Sequence, residues 1–186
     1  EIEAADSALR SFVSVQSSLV LYPIWRFGSL EQKERWLNPL RSAEAIGCFG
    51  LTEAHGGSNP DGLKTTAEER PDCYIINGSK NWITNAPIAD VAIIWARLKN
   101  EFRGFLVEKG TPGYEARPIK HKGSLRASSS GTISLQDCRI AKDNILPNAV
   151  GIKSSYACLN KARYGISWGT AGIVRVPNNL LFFSNT

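Results

Sequence analysis

No run of apolar residues in this sequence approaches the roughly 18 that a membrane span requires. The opening Glu1-Ile2-Glu3-Ala4-Ala5-Asp6 has no basic segment leading into an apolar one, so no secretory leader is read there. The formal net charge is +5, yet the basic residues are scattered singly, with no block and no basic-aromatic alternation. That pattern argues against nucleic-acid binding and leaves a mildly basic surface suited to an acidic ligand. Histidine is scarce, with only His55 and His121. The four cysteines, Cys48, Cys73, Cys138 and Cys158, are well separated and form no CxxC. Such a set argues against zinc and fits reduced thiols in an intracellular protein. There is no internal repeat and no low-complexity segment.

The 186 residues are 42% hydrophobic and 21% charged, which suits one globular domain or one domain with appendages. Residues 3–27 read as helical, with Leu9, Phe12 and Val13 at helical spacing and Gly28 as the stop. Ser29-Leu30-Glu31-Gln32 reads as a capping box opening a second helix, which Pro39 should stop near Leu37. From Ile46 to about Leu146 short β-branched runs alternate with turn residues. Tyr74-Ile75-Ile76, Asn77-Gly78 and Lys80–Thr84 predict a two-residue hairpin. Val91–Trp95, Arg103–Val107 and Thr132–Leu135 read as strands, with a short strand and loop between Cys138 and Leu146. Turns at this spacing predict an antiparallel sandwich or barrel. A helix resumes from about Ser155 to Ile173, and Pro177 should break it ahead of a short apolar tail. The fold class is therefore α+β, an antiparallel β-sandwich or barrel flanked by partial helical segments. Its parts are a partial helical domain (1–45), a β-domain (46–150) and the start of a second helical domain (151–186).

Two stretches carry chemistry. Phe49-Gly50-Leu51-Thr52-Glu53-Ala54-His55-Gly56-Gly57-Ser58 passes from an apolar strand into a glycine-bearing turn. Bare amides in such a turn can nest an anion, and Thr52 and Ser58 add hydroxyls. Lys80-Asn81-Trp82-Ile83-Thr84-Asn85 offers a flat indole with a hydroxyl two residues on, on the same face of a regular strand. An anion nest and an aromatic plate together suit a ligand with a phosphate and a ring system.

Together these stretches resemble the flavin-binding signature of the acyl-CoA dehydrogenase family, in wording nearest its glutaryl-CoA branch. The resemblance extends to about Gly172. It implies helical domains flanking a middle β-domain, with FAD between them. Phe49, Gly50, Leu51, Thr52, Gly57, Ser58, Trp82, Ile83 and Thr84 are the implied cofactor residues. Groups around Leu51, Thr52 and Thr84 would hydrogen-bond the polar edge of the ring, Gly57 and Ser58 would meet the pyrophosphate, and Trp82 would pack on the ring. The family often has Pro after Thr-Glu and Asp after Ser. This chain has Ala54 and Asn59, which soften the turn without removing its donors.

Arg10-Ser11 resembles the segment that receives the distal carboxylate of glutaryl-CoA, a task for which a guanidinium fork is well shaped. Glu3 lies two helical turns earlier and would orient Arg10. Tyr156, Leu159, Asn160 and Arg163 resemble the helix start lining the CoA arm, and Ser58 is shared with the substrate. Glu53 matches a structural position rather than a base, and His55 reads as a turn histidine. No catalytic residue and no metal ligand is assigned.

The resemblance implies oxidation of an acyl-CoA, electrons passing to an electron-transferring flavoprotein, and a homotetrameric parent. The expected location is the mitochondrial matrix in a eukaryote or the cytoplasm in a bacterium. The family's base sits in a Tyr-Glu-Gly-Thr-like motif, which this sequence lacks. The expectation is therefore a fragment or truncated form, with a non-catalytic flavin-binding or interaction module and an acyl-CoA oxidase as alternatives.

Overall fold

A computed structural model describes residues 1–183; of positions 175–183 it gives the backbone only, and Ser184-Asn185-Thr186 of the tail lie outside the described residues. The N-terminal helical region is not one helix. Asp6 is extended and caps a new start: its carboxylate accepts from the amides of Ala8 (2.6 Å) and Leu9 (3.2 Å), separating α1 (Ile2–Ala5) from α2 (Ser7–Ser14). A π-helical stretch, Val15–Leu21, then runs into α3 (Tyr22–Phe27). The capping box of α4 (Leu30–Arg41) is present, with Ser29 and Gln32 satisfying each other's backbone amides. This helix passes through Pro39 instead of stopping near Leu37. Pro39 falls in the last turn, where its missing N–H costs one bond, and its carbonyl still accepts from Ala45 at 3.0 Å.

Eight strands follow: β1 (Gly47–Gly50), β2 (Thr66–Glu69), β3 (Cys73–Thr84), β4 (Val91–Leu98), β5 (Glu101–Glu108), β6 (Tyr114–Pro118), β7 (Ser130–Ala141) and β8 (Ile145–Val150). They form one sheet in the order β6-β7-β3-β2-β4-β5-β8, with β1 also paired to β4. The β1–β4 and β2–β4 pairs are parallel. The sheet is thus mixed and open rather than an antiparallel sandwich or a closed barrel. Chain order alone hides these parallel neighbours, because each is closed by a long crossover.

The Asn77-Gly78 hairpin is also replaced. β3 runs straight through it as one 12-residue strand and pairs antiparallel with β7, with a register shift between Ile76 and Gly78. The Asn77 side chain exchanges two hydrogen bonds with Asp137 of β7, at 2.7 and 3.1 Å. Gly78 has φ +150°, and a Cβ there would lie 2.4 Å from the Thr65 hydroxyl. The glycine answers a close approach and a bulge, not a tight turn.

β4 shows why its sequence is continuously apolar. Val91, Ile93 and Trp95 face one core, shared with Val20, Ile24 and Phe27 of the helices. Ala92, Ile94 and Ala96 face a second core with Ile76, Ile133 and Leu135. Both faces of the strand are covered, so strict alternation is lost. Gln16, buried on the π-helical stretch, ties helices to sheet: its amide donates to the carbonyls of Leu40 and Ala45 and accepts from Gly47. The four cysteines are free and buried. α5 (Ile152–Phe183) starts before Ser155 and continues past Ile173 through Pro177, where a break was expected; proline's fixed φ is itself helical, so one lost bond need not end a helix. No described helix is long and apolar enough to cross a membrane.

Candidate functional site

The glycine-bearing turn leaves β1 at Gly50 and crosses beside the end of β3. There β3 is irregular: its register against β7 shifts between Lys80 and Ile83, and Trp82 adopts a left-handed φ of +58°. The bulge breaks the alternation that would put Lys80, Trp82 and Thr84 on one face. Lys80 is fully buried, Ile83 points into the second core, and the Trp82 indole stands 60% exposed. The Asn81 amide donates to the Thr52 carbonyl at 2.9 Å and closes the two stretches onto each other.

Between them lies a cleft of about 150 Å³, lined by Phe49, Leu51, Thr52, Trp82, Ile83 and Thr84, with Val15, Leu19 and Leu159 supplying apolar walls. Of the nine cofactor candidates, six line this cleft. Gly50 does not: it gives passage to the Lys80 stem, whose Cγ would be 3.2 Å from a Cβ at that position. Gly57 and Ser58 line a second cavity of about 540 Å³ with Pro60 and all four helix candidates, Tyr156, Leu159, Asn160 and Arg163. Those four recur at helical spacing on one face of α5. Leu159 borders both cavities, so the two are neighbours along one helix. A Cβ on Gly57 would meet nothing within 4 Å, and its backbone is open to a ligand.

Glu3, Arg10 and Ser11 line neither cavity. The Arg10 guanidinium is paired with the buried Glu3 carboxylate, which also accepts from the Ser7 hydroxyl at 2.5 Å. The Ser7 bond first, then Arg10, holds Glu3 below the usual carboxylate range. The pair lies under α5, where a Cβ on Gly169 would be 3.0 Å from Glu3 and 3.3 Å from Arg10. Ser11 is half-buried.

Sequence reasoning missed three contributors. Val15 and Leu19 reach the cleft from the π-helical stretch, whose extra residue per turn leaves no mark in a helical periodicity. Lys80 is the third. Its ammonium is buried 2.8 Å from Glu53 and 3.3 Å from the Leu51 carbonyl. Burial opposes the charge on Glu53, but hydrogen bonds from Lys80, Thr65 and the Lys64 amide outweigh it and bring the carboxyl down to about 2. Burial pushes Lys80 down to about 8 against the pull of Glu53. His55 stands at the rim, its Nε2 3.2 Å from the same carboxylate. A lysine in the strand segment leading to Trp82, with one acid in the Phe49–Ser58 turn, was the available signal.

A mixed sheet with helices packed along one face, and a cleft at their junction walled by an indole and the Thr52 and Thr84 side chains, defines an α+β fold with its cleft between helix and sheet. The chain belongs to the acyl-CoA dehydrogenase family. Residues 1–44 match the model of the family's N-terminal domain and residues 48–138 that of its middle domain. The mitochondrial short-chain specific acyl-CoA dehydrogenase of Mus musculus is 36% identical over 181 residues, 94% of this chain and 44% of that protein. The structure of a glutaryl-CoA dehydrogenase from Mycobacterium smegmatis in complex with FADH2 superposes with a TM-score of 0.91 at 49% identity, covering 92% of this chain and 44% of that one. Butyryl-CoA dehydrogenase from Megasphaera elsdenii gives 0.88 at 31%, covering 94% and 47%. The chain thus spans less than half the length of these relatives.

Proposed function

We propose that this chain is the FAD- and acyl-CoA-binding part of an acyl-CoA dehydrogenase of the glutaryl-CoA type, which oxidises glutaryl-CoA and releases crotonyl-CoA after decarboxylation. The observation that carries the reading is the single cleft into which Thr52 and Trp82–Thr84 converge. The cofactor, when bound, supplies the acceptor for the hydride leaving the substrate β-carbon. Trp82 packs on the ring system, and the backbone and hydroxyls of Leu51, Thr52 and Thr84 donate to its polar edge, where negative charge arrives. Gly57 and Ser58 hold the pyrophosphate. Tyr156, Leu159, Asn160 and Arg163 line the neighbouring cavity for the CoA arm, and the net positive charge suits that acidic ligand. Arg10 and Ser11 receive the distal carboxylate, with Glu3 turning the guanidinium fork.

Glu53 does not serve as the base. Its carboxylate is committed to Lys80, Thr65 and Lys64, and a carboxyl held near 2 is a poor proton acceptor. Proton removal from the α-carbon is assigned to the part of the parent protein outside this sequence. Electron transfer to an electron-transferring flavoprotein and tetramer assembly belong to that parent, in the mitochondrial matrix or the bacterial cytoplasm.

Arg10→Ala in the parent enzyme tests the acyl group. Loss of a charge-assisted contact, about 1.5–3 kcal/mol, should lower kcat/KM for glutaryl-CoA roughly tenfold to a hundredfold and leave butyryl-CoA almost unchanged. Equal losses on both substrates would remove Arg10 from the carboxylate site.

A further inference from the structure

Loop 51–65 is tied to β4 at its far end, where Arg97 donates to the carbonyls of Asp61, Leu63 and Thr65, and to the end of β3 by two fastenings. The Asn81 amide holds the Thr52 carbonyl. The other fastening is one buried ammonium. Lys80 Nζ donates to the Leu51 carbonyl at 3.3 Å and to Glu53 Oε1 at 2.8 Å. Glu53 in turn accepts from the amides of Lys64 (2.7 Å) and Thr65 (3.0 Å) and from the Thr65 hydroxyl (2.5 Å). Both ends of the loop, Leu51 and Lys64-Thr65, are thereby fixed to the strand position two residues before Trp82. The two side chains are 0% and 4% exposed, so solvent does not compete for these bonds.

We propose that Lys80 is a positioning residue that, through Glu53, holds the hydroxyl-and-amide wall of the cleft at a fixed distance from the indole wall. The proposal deepens the cofactor reading above and takes from it only what the cleft is for. Compared with an apolar pair of similar volume, a buried ion pair adds little or nothing to stability. Its distinct product is direction: each hydrogen bond fixes an orientation that packed methyl groups would leave free. The bulge makes this matter. The β3–β7 pairing stops at Lys80 and resumes at Ile83, so Trp82 lies in the gap and has no ladder partner of its own to set its place relative to the loop.

The test compares the 186-residue chain with its Lys80→Met/Glu53→Leu double variant, in which neither charge is stranded. Amide hydrogen exchange is read without ligand, and FAD binding by flavin fluorescence. The expected result is a variant that still melts cooperatively, at a midpoint lowered by the loss of the acceptor for the Thr65 hydroxyl and the Lys64 and Thr65 amides. Amides 52–65 should exchange at least about tenfold faster while those of β4 and β5 are unchanged, and FAD affinity should fall about tenfold or more. Loop exchange as slow as in the wild type overturns the proposal, as does faster exchange spread equally into β4 and β5. A loosened loop that still binds FAD with full affinity overturns it too. Should the wild-type chain take up no FAD, the cofactor reading fails, while the exchange comparison still decides whether Lys80 fixes the loop.

Discussion

Trp82→Ala should weaken FAD binding by the 186-residue chain about fivefold to a hundredfold while leaving its thermal stability almost untouched. The two halves of that result have separate causes. An aromatic plate under a flat ring contributes about 1–3 kcal/mol, by stacking and by the apolar area it covers. The indole contributes little to the fold, because it is 60% exposed and belongs to neither core. Substitutions at such positions fall within about 0.5 kcal/mol of neutral. The backbone supports this separation: φ at Trp82 is +58°, and Ala faces the same left-handed restriction as Trp, so the exchange adds no new strain. Titration followed by flavin fluorescence, alongside a thermal melt, reads both halves. Unchanged affinity would remove Trp82 from the ring site. A large drop in the melting temperature would show the indole to be structural.

Glu53→Ala should be the most damaging single change among the charged residues. It strands the Lys80 ammonium in a site with no solvent access and leaves the Thr65 hydroxyl and two backbone amides without their acceptor. Removing one partner of a buried pair costs about 3–5 kcal/mol, a large part of the total stability of a small domain. The variant should therefore be largely unfolded or molten near 37 °C, as circular dichroism and denaturant melts would show. A loss below 1 kcal/mol would mean that the pair is not buried in solution. The same carboxyl sets an acid limit. In the folded chain it stays ionised down to about 2, whereas the unfolded chain takes up its proton near the ordinary glutamate value. Its contribution is complete above that ordinary value and is lost as pH falls toward 2, so the wild-type melting temperature should decline across that window. Glu53→Gln should flatten the decline.

What the sequence disclosed was mostly local. The Ser29–Gln32 capping box needs four residues and no partners, and it formed as read. The apolar runs of β4 and β5 announced themselves through composition, since Val91–Ala96 and Phe105–Val107 are buried on both faces and carry only apolar side chains and an indole. The joining of the Thr52 turn to Trp82 was legible only because both stretches resemble one family signature. No periodicity links residues 30 positions apart.

The misreadings share a cause. Asn77-Gly78 has the chemistry of a hairpin, but Thr65 presses on Gly78 and Asp137 grips Asn77, and those contacts come from the loop ahead of β2 and from β7. The sheet's parallel pairs depend on crossovers that local pattern does not encode. Asp6 was a helix interrupter hidden in plain composition, and Pro39 a stop signal placed too near the helix end to act. Lys80 was overlooked for the opposite reason. Regular alternation would seat it beside Trp82, and the bulge sends the two side chains to opposite environments.

A crystal structure of the 186-residue chain grown with FAD addresses the whole reading at once. The isoalloxazine should lie against the Trp82 indole with its polar edge toward Thr52 and Thr84, and the phosphates should sit by Gly57 and Ser58. Electron density for the ring anywhere else, or a cleft filled only by water at saturating FAD, would contradict it.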